Sequence, residues 1–148
     1  MTTIAFDGRA IACDGRGCSN EVVFADQLLK IATLSDGSLL GLAGPSHALE
    51  LVTDWLEGKT EFPADLGEWS ALHIQPDAKV RLYTDKAQRA WREIDTPAAI
   101  GSGRELAIGA MLHGASAEEA VRIACQRDPY SGGNITVREC AGPVDTVT

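Results

Sequence analysis

The chain has 148 residues, enough for one compact domain with a core of its own. It carries 13 basic against 21 acidic residues, a net charge of −8, which argues against nucleic-acid or anionic-membrane partners that want a basic surface. Charged residues make up 23% and apolar ones 45%, so the composition gives no support to disorder, and no apolar run approaches the roughly 20 residues that cross a bilayer.

The predicted elements begin with a β-branched strand from Thr2 to Phe6. An Asp7-Gly8 hairpin turn and a returning strand from Ala10 to Cys13 follow. Residues 15–20 (GRGCSN) read as a loop, and Glu21 to Leu34 as mostly extended or irregular, with a strand over Lys30–Leu34. Asp36-Gly37 is a turn, and Ser38–Ala43 an apolar strand. A helix is predicted to start near Pro45, with Ala48, Leu49, Val52, Trp55 and Leu56 on one face and Gly58 as its stop. Residues 59–69 form a loop. Strands are predicted over Ser70–Gln75, Lys79–Thr84, Arg89–Ile94 and Ala98–Ile100.

A second helix follows Gly103, with Leu106, Ala107, Ala110 and Met111 on one face. A capping box of Ser116 and Glu119 opens a third, with Ala120, Val121, Ile123 and Ala124 inward. Ser131-Gly132-Gly133 is a turn, Ile135–Val137 the last strand, and the tail over 142–148 reads as frayed. Helices grouped between strand runs point to an α+β fold of antiparallel sheets, one domain over 1–148.

Cys13, Cys18, Cys125 and Cys140 form no CxxC pair and no zinc-ligand spacing with histidine, so they read as free thiols of a reducing cytoplasm. The start has no signal-peptide pattern. His47, His73 and His113 match no triad or metal motif, and no cofactor is expected. Trp55, Trp69 and Trp91 read as core or interface anchors.

Thr2 carries a chemical signal. A small residue after an initiator methionine permits removal of Met1, and the chain then begins at a threonine. Its free α-amine, with a pKa of about 8, sits a few bonds from its own hydroxyl and serves as a built-in general base.

Five segments, in order over residues 2–138, resemble the proteasome β subunit family and its bacterial relative HslV. TTIAFDGRAIACDGR resembles the family's N-terminal hairpin. Asp14 matches its aspartate, and Lys30 follows 16 residues later, at the family's spacing to its lysine. LLGLAGPSHALELVTDWL resembles the strand, glycine turn and first helix. AIGSGRELAIGAM resembles the GSG motif with its helix, and ACQRDPYSGGNITV the RDxxSGG motif.

The resemblance implies a four-layer αββα N-terminal-nucleophile (Ntn) hydrolase sandwich and a threonine peptidase with Thr2 as nucleophile. Lys30 would lower the barrier to deprotonating the hydroxyl, and Asp14 would hold Lys30. Gly44 would donate its N–H to an oxyanion, while Ser102, Asp128 and Ser131 would orient the threonine amine. Cys18, Leu28, Ala32, Leu42 and Ser46 would line the substrate site, with Glu50 further in. Leu42 and Ala32 fit an apolar side chain and Glu50 a basic one, so preference stays open. Stacked homo-oligomeric rings, polypeptide substrates and an AAA+ unfoldase partner are also implied.

The chain departs from the family in one place: residues 59–69 leave no room for the usual second long helix. Two other readings remain, a non-proteolytic Ntn amidohydrolase and a catalytically silent ring or scaffold subunit.

Overall fold

The computed structural model of the chain describes residues 2–86 and 91–140. The expectations for Met1, for the first two residues of the strand from Arg89, and for the tail over 142–148 lie outside the described residues.

In chain order the elements are β1 (Thr3–Phe6), β2 (Ala10–Cys13), β3 (Gly17–Ser19), β4 (Val22–Ala25), β5 (Ile31–Thr33) and β6 (Leu39–Ala43). Then come α1 (Ala48–Leu56), β7 (Ser70–Ile74), β8 (Val80–Thr84), β9 (Arg92–Ile94) and β10 (Ala98–Gly101). Helices α2 (Arg104–Leu112) and α3 (Ala117–Cys125) precede the last strand, β11 (Thr136–Glu139). Among the described residues every strand pairing is antiparallel. One sheet has the order β10-β1-β2-β11, another β5-β6-β7-β8-β9, and β3-β4 forms a separate hairpin.

Side-chain size sorts the packing. Strands alternate their faces, and one face of β1, β2 and β10 carries Ile4, Phe6, Ile11, Cys13, Ala98 and Ile100. These pack against Ile31, Leu39, Leu72 and Ile74 of the five-stranded sheet. Burying each large aliphatic or aromatic side chain here contributes roughly 1.5–3 kcal/mol. The opposite face of the first sheet carries Ala5, Ala12 and Ala99, and these small residues let α2 and α3 lie close through Ala107, Met111, Ala117, Ala120 and Val121. Helix α1 packs on the far face of the five-stranded sheet, where Ala48 and Val52 meet Leu40, Leu42, Ala71 and Tyr83. Residues 57–69 carry no helix between α1 and β7.

Three predicted details change. Residues 15–20 are not a loop throughout, because β3 and β4 pair across a turn in which Asn20 (φ 49°) and Glu21 (φ 67°) both take the left-handed conformation. That is hairpin-turn geometry without the Asn-Gly pair that advertises it. Ile123 faces out, 41% exposed, because it lies one residue's rotation, about 100°, off the stripe of Ala117, Ala120, Val121 and Ala124. Leu106 is 41% exposed for the same reason, lying one residue before buried Ala107. The capping box forms as read, with Ser116 Oγ accepting from the Glu119 N–H and Glu119 from the Ser116 N–H.

Asp7 ties the first hairpin to α3. Its carboxylate accepts from the N–H groups of Arg9, Ala10 and, at the start of α3, Ala117. Burial pushes its pKa up, but these backbone donors outweigh burial and hold the group below the ordinary range.

His73 is buried, with Ser38 Oγ 2.8 Å from Nε2 and the Gln75 amide 3.0 Å from Nδ1. Ser38 donates to Asp36, so Nε2–H donates to Ser38 and Gln75 donates to Nδ1. The neutral ring is thereby satisfied, and burial pushes its pKa down to about 4. The unfolded chain takes up a proton at pH about 6.5 that the folded chain refuses. Stability is therefore full above that pH and falls by about 3 kcal/mol as pH drops to 4. Urea midpoints measured from pH 7 to pH 4 should fall accordingly, and His73→Gln should flatten the decline.

Candidate active site

Hairpin register places the first components. Thr3 pairs with Gly101 of β10, and the chain closes the other edge by bonding Asp14 N–H to the Thr3 carbonyl at 3.1 Å. Thr2 is thus delivered at the end of the four-stranded sheet, and its own carbonyl accepts from Gly103 N–H at 3.3 Å. Gly101 has φ +95°, and a Cβ there would collide with the Thr2 carbonyl, so no other residue fits that position without moving Thr2.

Asp14 follows β2 and is fully buried. One carboxylate oxygen accepts from Thr3 N–H (3.0 Å) and Lys30 Nζ (2.9 Å), and the other from Arg16 N–H (3.2 Å) and Gly132 N–H (3.0 Å). Lys30 precedes β5 and is 8% exposed. Its ammonium donates to Asp14 Oδ1, to the Arg16 carbonyl at 2.7 Å and to Thr2 Oγ1 at 3.0 Å. An ammonium has three N–H bonds, and each finds an acceptor. Lys30 therefore acts on Thr2 Oγ1 as a donor and a positive charge. The pair is no surface salt bridge. Buried pairs add little net stability, so its value lies in holding a cation against one hydroxyl.

A second network reaches the Thr2 nitrogen. Thr2 N donates to Ser102 Oγ at 3.1 Å, and Ser102 Oγ lies 2.6 Å from Asp128 Oδ2. Ser131 Oγ lies 2.6 Å from the same oxygen and 2.7 Å from Thr3 Oγ1. Both serine hydroxyls donate to the Asp128 carboxylate, which leaves Thr3 to donate to Ser131. Ser102 touches Thr2 directly, while Asp128 and Ser131 stand behind it. Gly133 (φ +73°) turns the chain where any Cβ would strike the Asp26 backbone.

Beside Thr2 lies a hollow of about 290 Å³, whose walls include Cys18, Leu28, Leu42, Gly44 and Ser46. Gly44 and Cys18 also border a groove that reaches Ser102. Ala32, expected with them, falls instead in an adjoining hollow with Glu50. Ala32 pairs with Leu40 and so shares the face of Lys30 and Leu42, but it lies two residues further along β5 from Lys30, which sets it beyond the Thr2 hollow.

Several residues that touch the site are not singled out as site residues by the sequence, among them Thr3, Arg16, Phe24, Leu29 and Leu49. Thr3 was signalled by the doubled threonine and Arg16 by its place after Asp14-Gly15. Phe24 and Leu29 line the hollow but sit in a stretch read as irregular. Arg16 pairs with Asp26 at 2.9 Å.

Burial raises the Cys13 pKa, and burial pushes that of Cys125 up to about 11, so both thiols stay neutral. Among the described residues no cluster of His, Cys, Asp and Glu is placed to hold a metal ion. No helix among them is long and apolar enough to cross a membrane.

No family model and no curated protein matches the sequence. Solved structures do match. BPH from Thiobacillus denitrificans is 21% identical, with TM-score 0.69 over 94% of this chain and 97% of that one. In its complex with epoxomicin BPH gives TM-score 0.72 at 21% identity, over 95% and 99%. Eukaryotic HslV from Trypanosoma brucei is 19% identical, with TM-score 0.71 over 93% and 97%. The chain has the fold of these proteins, in keeping with its sequence resemblance to the proteasome β and HslV family.

Lys30→Met leaves Asp14 charged, buried and without its cation, and should cost about 3–5 kcal/mol. Arg122→Ala, which removes the exposed pair with Glu118, should cost under about 1 kcal/mol. Urea unfolding of the two variants measures the contrast.

Proposed function

We propose that the chain is a threonine-type endopeptidase subunit of the proteasome β and HslV kind. In this reading release of Met1 turns the Thr2 nitrogen into a free amine. The observation that carries it is the convergence on Thr2: Lys30 Nζ donates to the side-chain oxygen while Ser102 holds the nitrogen.

The chemistry follows from those contacts. The freed amine takes the proton of the Thr2 hydroxyl as Oγ1 attacks a peptide carbonyl. Lys30 stabilises the negative charge growing on Oγ1, and Asp14 keeps Lys30 in place. All three Lys30 protons are committed, which favours the amine as the base. Ser102, held by Asp128, accepts an N–H of that nitrogen and so leaves the lone pair of the freed amine available to the hydroxyl. Gly44 is proposed as an oxyanion donor, since it borders the hollow beside Thr2. The tetrahedral species collapses, the leaving amine takes the proton from the α-ammonium, and a threonyl ester remains. Water then hydrolyses the ester, with the same amine as base.

Other parts of the reading rest on the fold. The three packed clusters support a four-layer αββα sandwich forming one domain over 1–148. The complex of BPH with epoxomicin supports a peptide-like ligand. Stacked homo-oligomeric rings and an AAA+ unfoldase partner belong to the reading on the sequence resemblance to the proteasome β and HslV family, and a cytoplasmic location on the cysteine pattern. The acidic charge fits neither nucleic acid nor an anionic membrane.

Hydrolysis of fluorogenic peptides by the purified protein tests the proposal. Thr2→Ala and Lys30→Ala should each lower kcat by about 10²–10⁴-fold or more, and native mass should show a ring. Undiminished cleavage by Thr2→Ala would refute the mechanism. A dimer active only on small amides would shift the assignment to an amidohydrolase.

A further inference from the structure

Gly44 is assigned above as an oxyanion donor, and its surroundings show what holds that N–H in place. Leu42 N–H donates to the Lys30 carbonyl at 3.0 Å, just before β5. Ladder bonds alternate sides along a strand. Two residues on, the Gly44 N–H therefore turns the same way, toward the hollow that Gly44 shares with Thr2. The β5 ladder begins with Ile31 opposite Gly41. Gly44 lies beyond it, so its N–H is placed by what packs behind the residue.

Behind it stands Trp69. Ala43 pairs with Ser70 in the β6–β7 ladder, and Trp69 lies one step further, opposite Gly44. A Cβ on Gly44 would lie 2.6 Å from Trp69 Cβ, 3.1 Å from Trp69 Cα and 3.2 Å from the Glu68 carbonyl oxygen. Directly opposed Cβ atoms normally stand about 4.5–5.5 Å apart. The two backbones thus meet more closely than in an ordinary pair. A shift of residues 68–69 either pushes Gly44 or leaves it without support.

Two sets of contacts hold Trp69. Its N–H donates to Asp85 Oδ1 at 3.3 Å, and its carbonyl accepts from Asp85 N–H at 3.2 Å, which ties it to the end of β8. Its buried ring ends an aromatic row. Centroids are 6.0 Å apart for Trp69 and Phe62, 4.9 Å for Phe62 and Trp55, and 5.5 Å for Trp55 and Tyr83. Through that row the helix-free stretch 57–69 is fastened to α1 and β8. Trp69 Nε1–H is buried and finds no acceptor among the described residues. An unpaired buried donor is unfavourable, so the indole serves here by its bulk and not by a hydrogen bond.

We propose that Trp69 and Asp85 are positioning residues that act through Gly44, fixing the backbone that presents its N–H to the carbonyl under attack. The proposal rests on the peptidase reading above. Neither side chain is assigned a contact with the reacting atoms.

The test compares wild type with Asp85→Ala, Trp69→Leu and Trp69→Phe. Each preparation is first titrated to completion with a peptide epoxyketone, so that rates refer to competent threonines and misfolded chains drop out. kcat and KM for a fluorogenic peptide amide are then measured, together with the inhibition constant of a peptide boronate. In the boronate complex Thr2 Oγ1 bonds to boron, its proton passes to the α-amine, and the tetrahedral boron group carries the negative charge. Such a complex reports on interactions made in the transition state.

Asp85→Ala and Trp69→Leu should lower kcat about 10–100-fold, somewhat less than outright removal of an oxyanion donor, with KM unchanged. Boronate affinity should fall by the same factor as kcat/KM. Trp69→Phe keeps a ring and drops the unpaired N–H, and should recover most of the loss. Wild-type kcat and boronate affinity in Asp85→Ala overturn the proposal. So does a rise in KM at constant kcat, which would mark a substrate contact, or a loss in Trp69→Phe as large as in Trp69→Leu. A wild type that cleaves nothing and takes up no boronate refutes the peptidase reading and this proposal with it. An active wild type with indifferent variants refutes the proposal alone.

Discussion

A lysine ammonium kept out of water beside a threonine hydroxyl is the constraint on which the rest of the structure depends. Burying a cation is costly unless every proton finds an acceptor. For Lys30 the three acceptors are Asp14, the Arg16 carbonyl and Thr2 Oγ1. Asp14 in turn is buried and needs donors, which come from Thr3, Lys30, Arg16 and Gly132. These residues come from the β1–β2 hairpin, the segment before β5 and the turn after α3. Satisfying one buried charge thus fixes three distant segments around one hydroxyl. In a low-dielectric setting a charge so placed acts far more strongly than it would in water.

The two sheets supply the rigid frame through a division of side-chain size. Large residues fill the space between the sheets, and alanines face α2 and α3. Close approach recurs where the site is built. Gly101 passes against the Thr2 carbonyl, and Gly133 against the Asp26 backbone. Constraints of this kind bind the backbone path and leave glycine as the residue that fits.

Much of this was legible in the sequence, for identifiable reasons. Asp7-Gly8 announced the first hairpin, whose register carries Asp14 to Thr3. Ser116 and Glu119 announced α3. Apolar periodicity located α1, the chemistry of a threonine after Met1 pointed to Thr2, and the resemblance to the proteasome β and HslV family pointed to Asp14, Lys30, Ser102, Asp128 and Ser131, which the fold gathers with Thr2 within two connected networks. Other features were hidden. The β3–β4 hairpin turns on Asn20-Glu21, a pair with no glycine to mark it. Leu106 and Ile123 are apolar yet lie just off their buried stripes, an angular offset that composition does not reveal. Ala32 and Leu42 share a face of their sheet, yet Ala32 lies further along β5 and borders a different hollow, a distance that residue type does not reveal. Thr3 and Arg16 act through backbone and hydroxyl contacts that arise only once separate segments meet.

The central claim is that Thr2 becomes a free N-terminal nucleophile. Intact mass of the purified protein, before and after treatment with a peptide epoxyketone such as epoxomicin, tests it most directly. Such a reagent offers a ketone to the hydroxyl and an epoxide to the amine of one residue. The account expects a chain lacking Met1 that gains a single adduct, with no adduct in Thr2→Ala. A chain that keeps Met1 and takes up no reagent would contradict it, and would identify a protein with this fold whose threonine is silent.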